Sequence, residues 1–274
     1  MDLKEKVILG IKKILFRIKL LRIMIDEILN YQFYKEFKKN QKKVKEFHNK
    51  HLGGRCFIVA TGPSLNKTNL DPIKNEIVFG VNSLCTGLDK FGINCDYYVI
   101  SDRVSWKRHS KCVLDLDTNL FPCYVAARHY IRDKPKNIKK EPYLIKGDGS
   151  ILWAKKFPED ISRHVYADGY TVIIVCLQIA YYMGFKEVYL VGCDCDYSNE
   201  AHFDGKKAGV LTENRLKEGQ HWKRVFSAYR ICKQAFEGEG RKIYNSTVGG
   251  KLEVFERRNL EEAVKNPKNR KMGK

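Results

Sequence analysis

The chain has 274 residues, 43% of them hydrophobic, enough to bury a full core in one large domain or two small ones. Fifty-one Lys and Arg against 32 Asp and Glu leave a formal charge of +19, a surface that attracts polyanions such as nucleic acid, anionic lipid headgroups or phosphorylated substrates. The nine cysteines include no C-x-x-C pair, and several sit inside apolar runs; neither a disulfide framework nor a zinc site is expected, and a reducing, cytoplasmic setting is.

Residues 1–50 read as a basic helical segment. Ile8, Ile11, Leu15, Ile18, Leu21, Ile25 and Ile28 recur every three or four positions and draw one apolar stripe, with lysines and arginines on the other face. Lys12, Lys13, Arg17, Lys19 and Arg22 interrupt the run, so it fits neither a secretory signal nor a spanning helix. A helix of this kind can lie in the interface of an anionic membrane through residues 1–30. It can equally dock on the body of the chain or on a second subunit, which leaves a homo-oligomer open. Residues 35–50 are more polar and read as a solvated continuation or linker.

From Gly53 onward short β-rich runs alternate with helical or loop segments. Strands are expected at Cys56–Ala60, Ile77–Val81, Tyr97–Ser101, Cys123–Ala126, Tyr143–Ile145, Val165–Ala167, Val188–Gly192 and Lys242–Asn245, and helices at Thr171–Met183 and Gln220–Phe236. Runs such as CFIVA and VYLVG are apolar throughout, as in central strands covered on both faces. The fold class this predicts is α/β, with an open, mainly parallel, Rossmann-like sheet and flanking helices over residues 51–260. Residues 261–274 read as a basic tail.

The first strand runs into Thr61-Gly62-Pro63-Ser64. At the carboxyl end of a parallel strand, backbone N–H groups and the positive end of the next helix gather anions. Gly62 would let a ligand approach, Pro63 would stiffen the turn, and Ser64 would cap a helix or donate to a phosphate. The turn is neither a Walker loop nor a dinucleotide fingerprint, and a plain tight turn is the structural alternative. The next strands deliver Asn82-Ser83 and Ser101-Asp102. Three polar tips in succession are expected to line one crevice, with Asn82 suited to reading a base or ribose edge.

Residues 167–204 carry the densest signal. Asp168-Gly169 leads through Thr171 into an apolar helix closed by Gly184; the strand Val188–Val191 then ends in Gly192-Cys193-Asp194, followed by Tyr197, His202 and Asp204. A carboxylate at such a tip can orient a hydroxyl or hold a metal. This pattern, with G-P-S-L after the first strand, L-Q-I-A-Y-Y-M-G-F-K-E-V-Y-L-V-G-C-D and then H-F-D, resembles the MptE-like superfamily of 6-hydroxymethylpterin diphosphokinases over roughly residues 55–250. It is also similar to the bacterial sialyltransferases of glycosyltransferase family 42. The resemblance implies that Gly62 and Ser64 meet the nucleotide phosphates or ribose, and that Asn82 and Ser101 contact the nucleotide and the transferred group. It also implies that His221, in Gln220-His221-Trp222, is the general base; a helix-start histidine without chemistry is the bland alternative. The sialyltransferases use two tyrosines on the leaving phosphate. Here only Tyr197 is available, with His202 near the second position and Arg224 as a further candidate.

Three functions are therefore expected in order of preference. The first is a cofactor-free glycosyltransferase using a nucleotide-sugar donor, with CMP as a candidate carrier, and a glycan or glycolipid acceptor, working in cell-surface glycan assembly at the inner face of a bacterial membrane. The second is an ATP- and Mg²⁺-dependent diphosphokinase with Asp194, Asp196 and Asp204 as oxygen ligands. The third is a nucleic-acid-binding protein, for which no helix-turn-helix, zinc-finger or RNP pattern appears.

Overall fold

The computed structural model describes residues 17, 21, 24, 28, 31–136, 138–147, 149–154, 157–166, 171–196, 202–205 and 220–265. Its centre is a seven-stranded sheet in which every pairing is parallel: β1 (Arg55–Val59), β2 (Val78–Val81), β3 (Tyr97–Ile100), β4 (Asn119–Pro122), β5 (Glu187–Val191), β6 (Lys242–Asn245) and β7 (Glu256–Arg257). The spatial order is β4-β3-β2-β1-β5-β6-β7. The chain thus builds outward from β1 to β4, returns, and builds outward again from β5. The order reverses between β1 and β5, where open α/β sheets leave a crevice at the carboxyl ends of the strands.

Strand periodicity sorts the core into two layers. Cys56 and Ile58 of β1 face one way and join Val188 and Leu190 of β5; Phe57 and Val59 face the other way with Tyr189 and Val191. The first layer is closed by a helix across residues 31–45 (α1), by α5 (Val172–Tyr182) and by α6 (Gln220–Gly238). The second is closed by the short turns around Leu65 and Leu84, by the brief helix α2 (Leu88–Phe91), by α3 (Arg103–Leu114) and by α7 (Leu260–Lys265). Helix α4 (Val125–Asp133) sits beside them at the β4 edge. α5 is buried nearly all round, which explains why its sequence is apolar on every face.

Several sequence expectations need correction. Cys123–Ala126 is not a strand: β4 ends at Pro122 and Val125 opens α4, a proline being tolerated because β4 is an edge here. Of the expected strands at Tyr143–Ile145 and Val165–Ala167 the described residues show single bridges, Cys123 with Ile145 and Gly147 with Val165, and Ala167 lies outside the described residues. Residues 35–50 are no solvated linker. Phe33, Phe37, Val44 and Phe47 are buried, and the Asn40 amide donates to the Pro142 carbonyl and accepts from the Leu144 amide. The docking stripe is sparse and flanked by lysines, so composition concealed it. α7 spans the 260/261 boundary between body and tail; Arg55, 1% exposed, forms a bidentate pair with Glu76 and donates to the carbonyls of Ala263 and Val264. Among the described residues no helix is long and apolar enough to cross a membrane.

Candidate active site

The site is built where β1 and β5 part. Val59 pairs with Val191, and the Ala60 amide donates to the Val191 carbonyl. One step further the two tips lock together. The Gly62 amide donates to Gly192 O at 2.9 Å, and Asp194 accepts from the Ser64 amide at 3.2 Å and from the Ser64 hydroxyl at 2.8 Å. Gly62 is required by this contact, because a Cβ there would fall 1.7 Å from Asp194 Oδ2 and 2.5 Å from Gly192 O. Burial raises the Asp194 pKa, an effect that the bonds from Ser64 offset in part.

The amides of the expected cradle are therefore engaged within the chain, Ser64 with Asp194 and Gly62 with Gly192. The Asp194 carboxylate, three residues beyond β5, lies against the turn at which a ligand phosphate was expected, and Gly62 makes room for it. The reason is geometric: residues 62 and 194 leave adjacent strands at the same level, and β-strand spacing of about 4.8 Å brings them into contact. Pro63 and Ser64 form the first residues of a 3₁₀ turn, Pro63–Lys67.

A second loop completes this junction. The Asp194 carbonyl accepts from the Lys251 amide at 2.7 Å, Lys251 Nζ lies 3.0 Å from Asp196, and the Cys193 amide donates to the Thr247 hydroxyl at 3.0 Å. Gly250, at φ +72°, lies so close to the Asp194 backbone that a Cβ would fall 2.6 Å from its carbonyl oxygen. Arg257 fixes the loop by donating to the carbonyls of Thr247, Gly249 and Gly250. Sequence reasoning missed this loop, although the Gly249-Gly250 pair after β6 was a usable signal.

On the other side of β1, Thr61 Oγ1 lies 2.9 Å from His202 Nδ1, the Phe203 amide donates to Thr61 O, and Phe203 seats over Gly87 against Phe91. His202 is thus carried to the β1 tip by a segment 141 residues away. At the β2 tip, Asn82 holds φ 46°, and its Oδ1 is buried without a hydrogen-bond partner. The buried hydroxyl of Tyr98 fixes the turn by sharing its one proton between Val81 O and Asn82 O and accepting from the Cys85 amide. Ser83 is buried in the same turn. Cys195 and Tyr124, at the β5 and β4 tips, also have positive φ, 50° and 51°. Such backbone strain collects at sites that position ligands.

Other expected residues have structural tasks. Asp102 caps α3 through the Ser105 amide, and Thr171 caps α5 through the Ile173 amide. Ser101 lends its carbonyl to the Ala126 amide. His221 is buried in the first turn of α6, edge-on to Trp222. Because α6 turns directly into β6, it runs antiparallel to the strands and its first turn lies at their carboxyl edge. Arg224 is exposed on the same helix. Gly169 and Tyr197 lie outside the described residues, as does Asp168. Among the described residues no three His, Cys, Asp or Glu gather as a metal site.

Residues 31–200 match the 6-hydroxymethylpterin diphosphokinase MptE-like family, well over half of the sequence. The chain belongs to the MptE-like family. No curated protein matches it. Two solved structures are similar to this MptE-like chain at low identity. One is the MAf glycosyltransferase from Magnetospirillum magneticum AMB-1, with 15% identity and a TM-score of 0.47 over 82% of this chain; the chain spans 38% of that protein's length. The other is the sialyltransferase CstII from Campylobacter jejuni, in complex with cytidine-5'-monophosphate, with 14% identity and a TM-score of 0.46 over 77% of this chain and 87% of that one.

Proposed function

We propose that this MptE-like protein is a nucleotide-dependent transferase that holds an activated donor at the carboxyl edge over β1, β2 and β5, and that the reaction is glycosyl transfer from a nucleotide sugar to a glycan or glycolipid acceptor. The observation that carries the reading is Asn82, whose buried side-chain Oδ1 lacks a donor beside the β2 tip. An orphaned buried acceptor costs about 1–3 kcal/mol, and a base amine or a ribose hydroxyl would supply the missing proton.

His202 beside Thr61 and the exposed Arg224 would meet the donor phosphates, since the Ser64 amide already donates to Asp194 and the Gly62 amide to Gly192 O. His221 would take the acceptor's hydroxyl proton as the acceptor oxygen bonds to the sugar carbon; the bond from that carbon to the phosphate oxygen breaks, and the nucleotide departs as an anion. No metal enters this scheme. Asp194 positions the β1 turn rather than touching the reacting atoms.

The family's description favours a second reading, a diphosphokinase, for which ATP would be the donor and Mg²⁺ the ion. Asp194 and Asp196 would be its ligands together with Asp204, but Asp194 accepts from Ser64 and Asp196 pairs with Lys251. Mg²⁺ would have to displace those partners.

Thermal-shift titration of the full chain with CMP, UDP, GDP and ATP, each in EDTA and in Mg²⁺, separates the two. Glycosyl transfer predicts a nucleotide-dependent rise in Tm that survives EDTA; a ligand at 100 times its Kd adds about 2.7 kcal/mol. A rise with ATP and Mg²⁺ alone would transfer the assignment to the diphosphokinase. No rise with any nucleotide would remove both.

A further inference from the structure

Helix α1 has two faces with different fates. Phe33, Phe37, Asn40, Val44 and Phe47 recur at four- and three-residue steps and pack on the body, Phe33 against Ala127 and Ile131 of α4. At about 100° of turn per residue, the face opposite carries Leu21, Met24, Ile28, Tyr31 and Tyr34. Residues 21, 24 and 28 are helical, and all five side chains are more than half exposed: 58%, 58%, 54%, 68% and 53%. Along the same outward face the apolar side chains give way to Lys35, Lys38, Lys42 and Lys45, all exposed. Lys38 lies over the Tyr34 ring, 4.9 Å from its centroid.

We propose that this face seats α1 on an anionic lipid surface, with Leu21, Met24 and Ile28 below the headgroups, Tyr31 and Tyr34 at their level and the lysines against their phosphates. Arg17, helical and exposed one turn before Leu21, opens the same face; an apolar stretch bounded by a basic residue at one end and by aromatic and basic residues at the other is the pattern of a helix lying in a membrane interface. Charge complementarity decides the occupant. Between residues 35 and 45 there are six lysines and one glutamate, so two copies stacked on this face would repel, whereas an anionic headgroup layer attracts it. The face is tied to the body through the opposite stripe, and Phe33 packs beside α4, which starts at the carboxyl tip of β4. The lipid would therefore lie on the side of the sheet that carries the candidate site. The inference does not rest on the transferase reading, because it concerns binding alone.

The test is co-sedimentation of the full chain with phosphatidylcholine vesicles and with vesicles containing phosphatidylglycerol, alongside the variants L21Q/M24Q/I28Q and K35Q/K38Q/K42Q. The wild type should pellet with the anionic vesicles. The apolar variant should lower the partition coefficient about 100-fold, and the lysine variant or 0.5 M salt about 10-fold. All six positions are exposed, and unchanged thermal melts would show that both variants fold. Failure of the wild type to pellet with anionic vesicles, or equal pelleting of the apolar variant, overturns the proposal. So does a lipid-free dimer in sedimentation velocity that the apolar substitutions split, since the face would then belong to a second copy.

Discussion

The Ser64 hydroxyl donates to the Asp194 carboxylate at 2.8 Å and joins two strand tips 130 residues apart in sequence. The Ser64 amide adds a second bond to the same carboxylate, and Gly62 provides the space it fills. This contact closes the crevice floor between β1 and β5, so the turn after β1 holds its shape without a ligand.

The floor predicts a coupled pair of substitutions. Gly62→Ala should destabilise the protein by about 2–4 kcal/mol, because its methyl collides with a carboxylate held by backbone and side chain. Asp194→Ala should cost about 1–3 kcal/mol by leaving the Ser64 donors unpaired. Combined, they should cost less than the sum, since removing the carboxylate removes the collision. Urea denaturation of the four proteins measures the coupling; strict additivity would contradict the geometry.

Asp194 also predicts a pH signature. Its folded pKa lies above the unfolded one because burial penalises the anion. The folded state therefore binds the proton more tightly, so this group's contribution to stability falls as pH rises from the ordinary carboxylate pKa towards the raised value. Asp194→Asn should flatten that slope. Urea midpoints of both proteins between pH 4 and 6 provide the comparison.

His51 predicts the opposite slope. Burial beside Phe185, with the Lys50 charge adding to it, lowers its pKa from 6.5 to about 4, and its Nε2 lies 2.6 Å from the Tyr97 hydroxyl. The unfolded chain takes up the proton first, so stability is full above pH 6.5 and lost as pH falls towards 4. The loss should be about 2 kcal/mol after discounting for partial exposure. A His51→Gln variant that keeps the full acid sensitivity would rule the residue out as its source.

Asn82→Gly should separate binding from folding. Glycine relaxes the φ of 46° and removes the unpartnered oxygen, so the melting temperature should hold or rise. Nucleotide affinity should nevertheless fall about 10-fold, the worth of one lost hydrogen bond. Calorimetric titration with the nucleotide that gives the largest thermal shift checks this.

Arg55→Leu should cost about 3–5 kcal/mol, because it strands Glu76 as a buried charge. It also releases the carbonyls of Ala263 and Val264. Hydrogen exchange should accordingly rise across α7 more than across β1. Uniform loss of protection would mean that Arg55 does not act as the clamp on the C-terminal helix.

How much was legible follows from which forces are local. β1, β2, β3, β5 and β6 were readable as apolar runs because central strands buried on both faces need such residues. The α5 helix and its Thr171 start were readable for the same reason, as was the polar character of the strand tips. β4 and β7 lie towards or at the sheet edges and are too short or too polar to announce themselves, and Cys123–Ala126 misled because Cys, Tyr, Val and Ala suit either element. The α1 docking stripe was hidden among lysines.

The sequence by itself determined the class of fold, a parallel sheet wrapped in helices, and the set of polar residues that end its strands, because burial and turn chemistry act over a few residues. Only the tertiary structure decided what those residues do. Strand order set β5 beside β1, and that placed an internal carboxylate on the turn where a ligand phosphate was expected and brought His202 and the Thr247–Lys251 loop into the site. Such contacts join positions up to 141 residues apart, a separation over which no local pattern fixes register or distance.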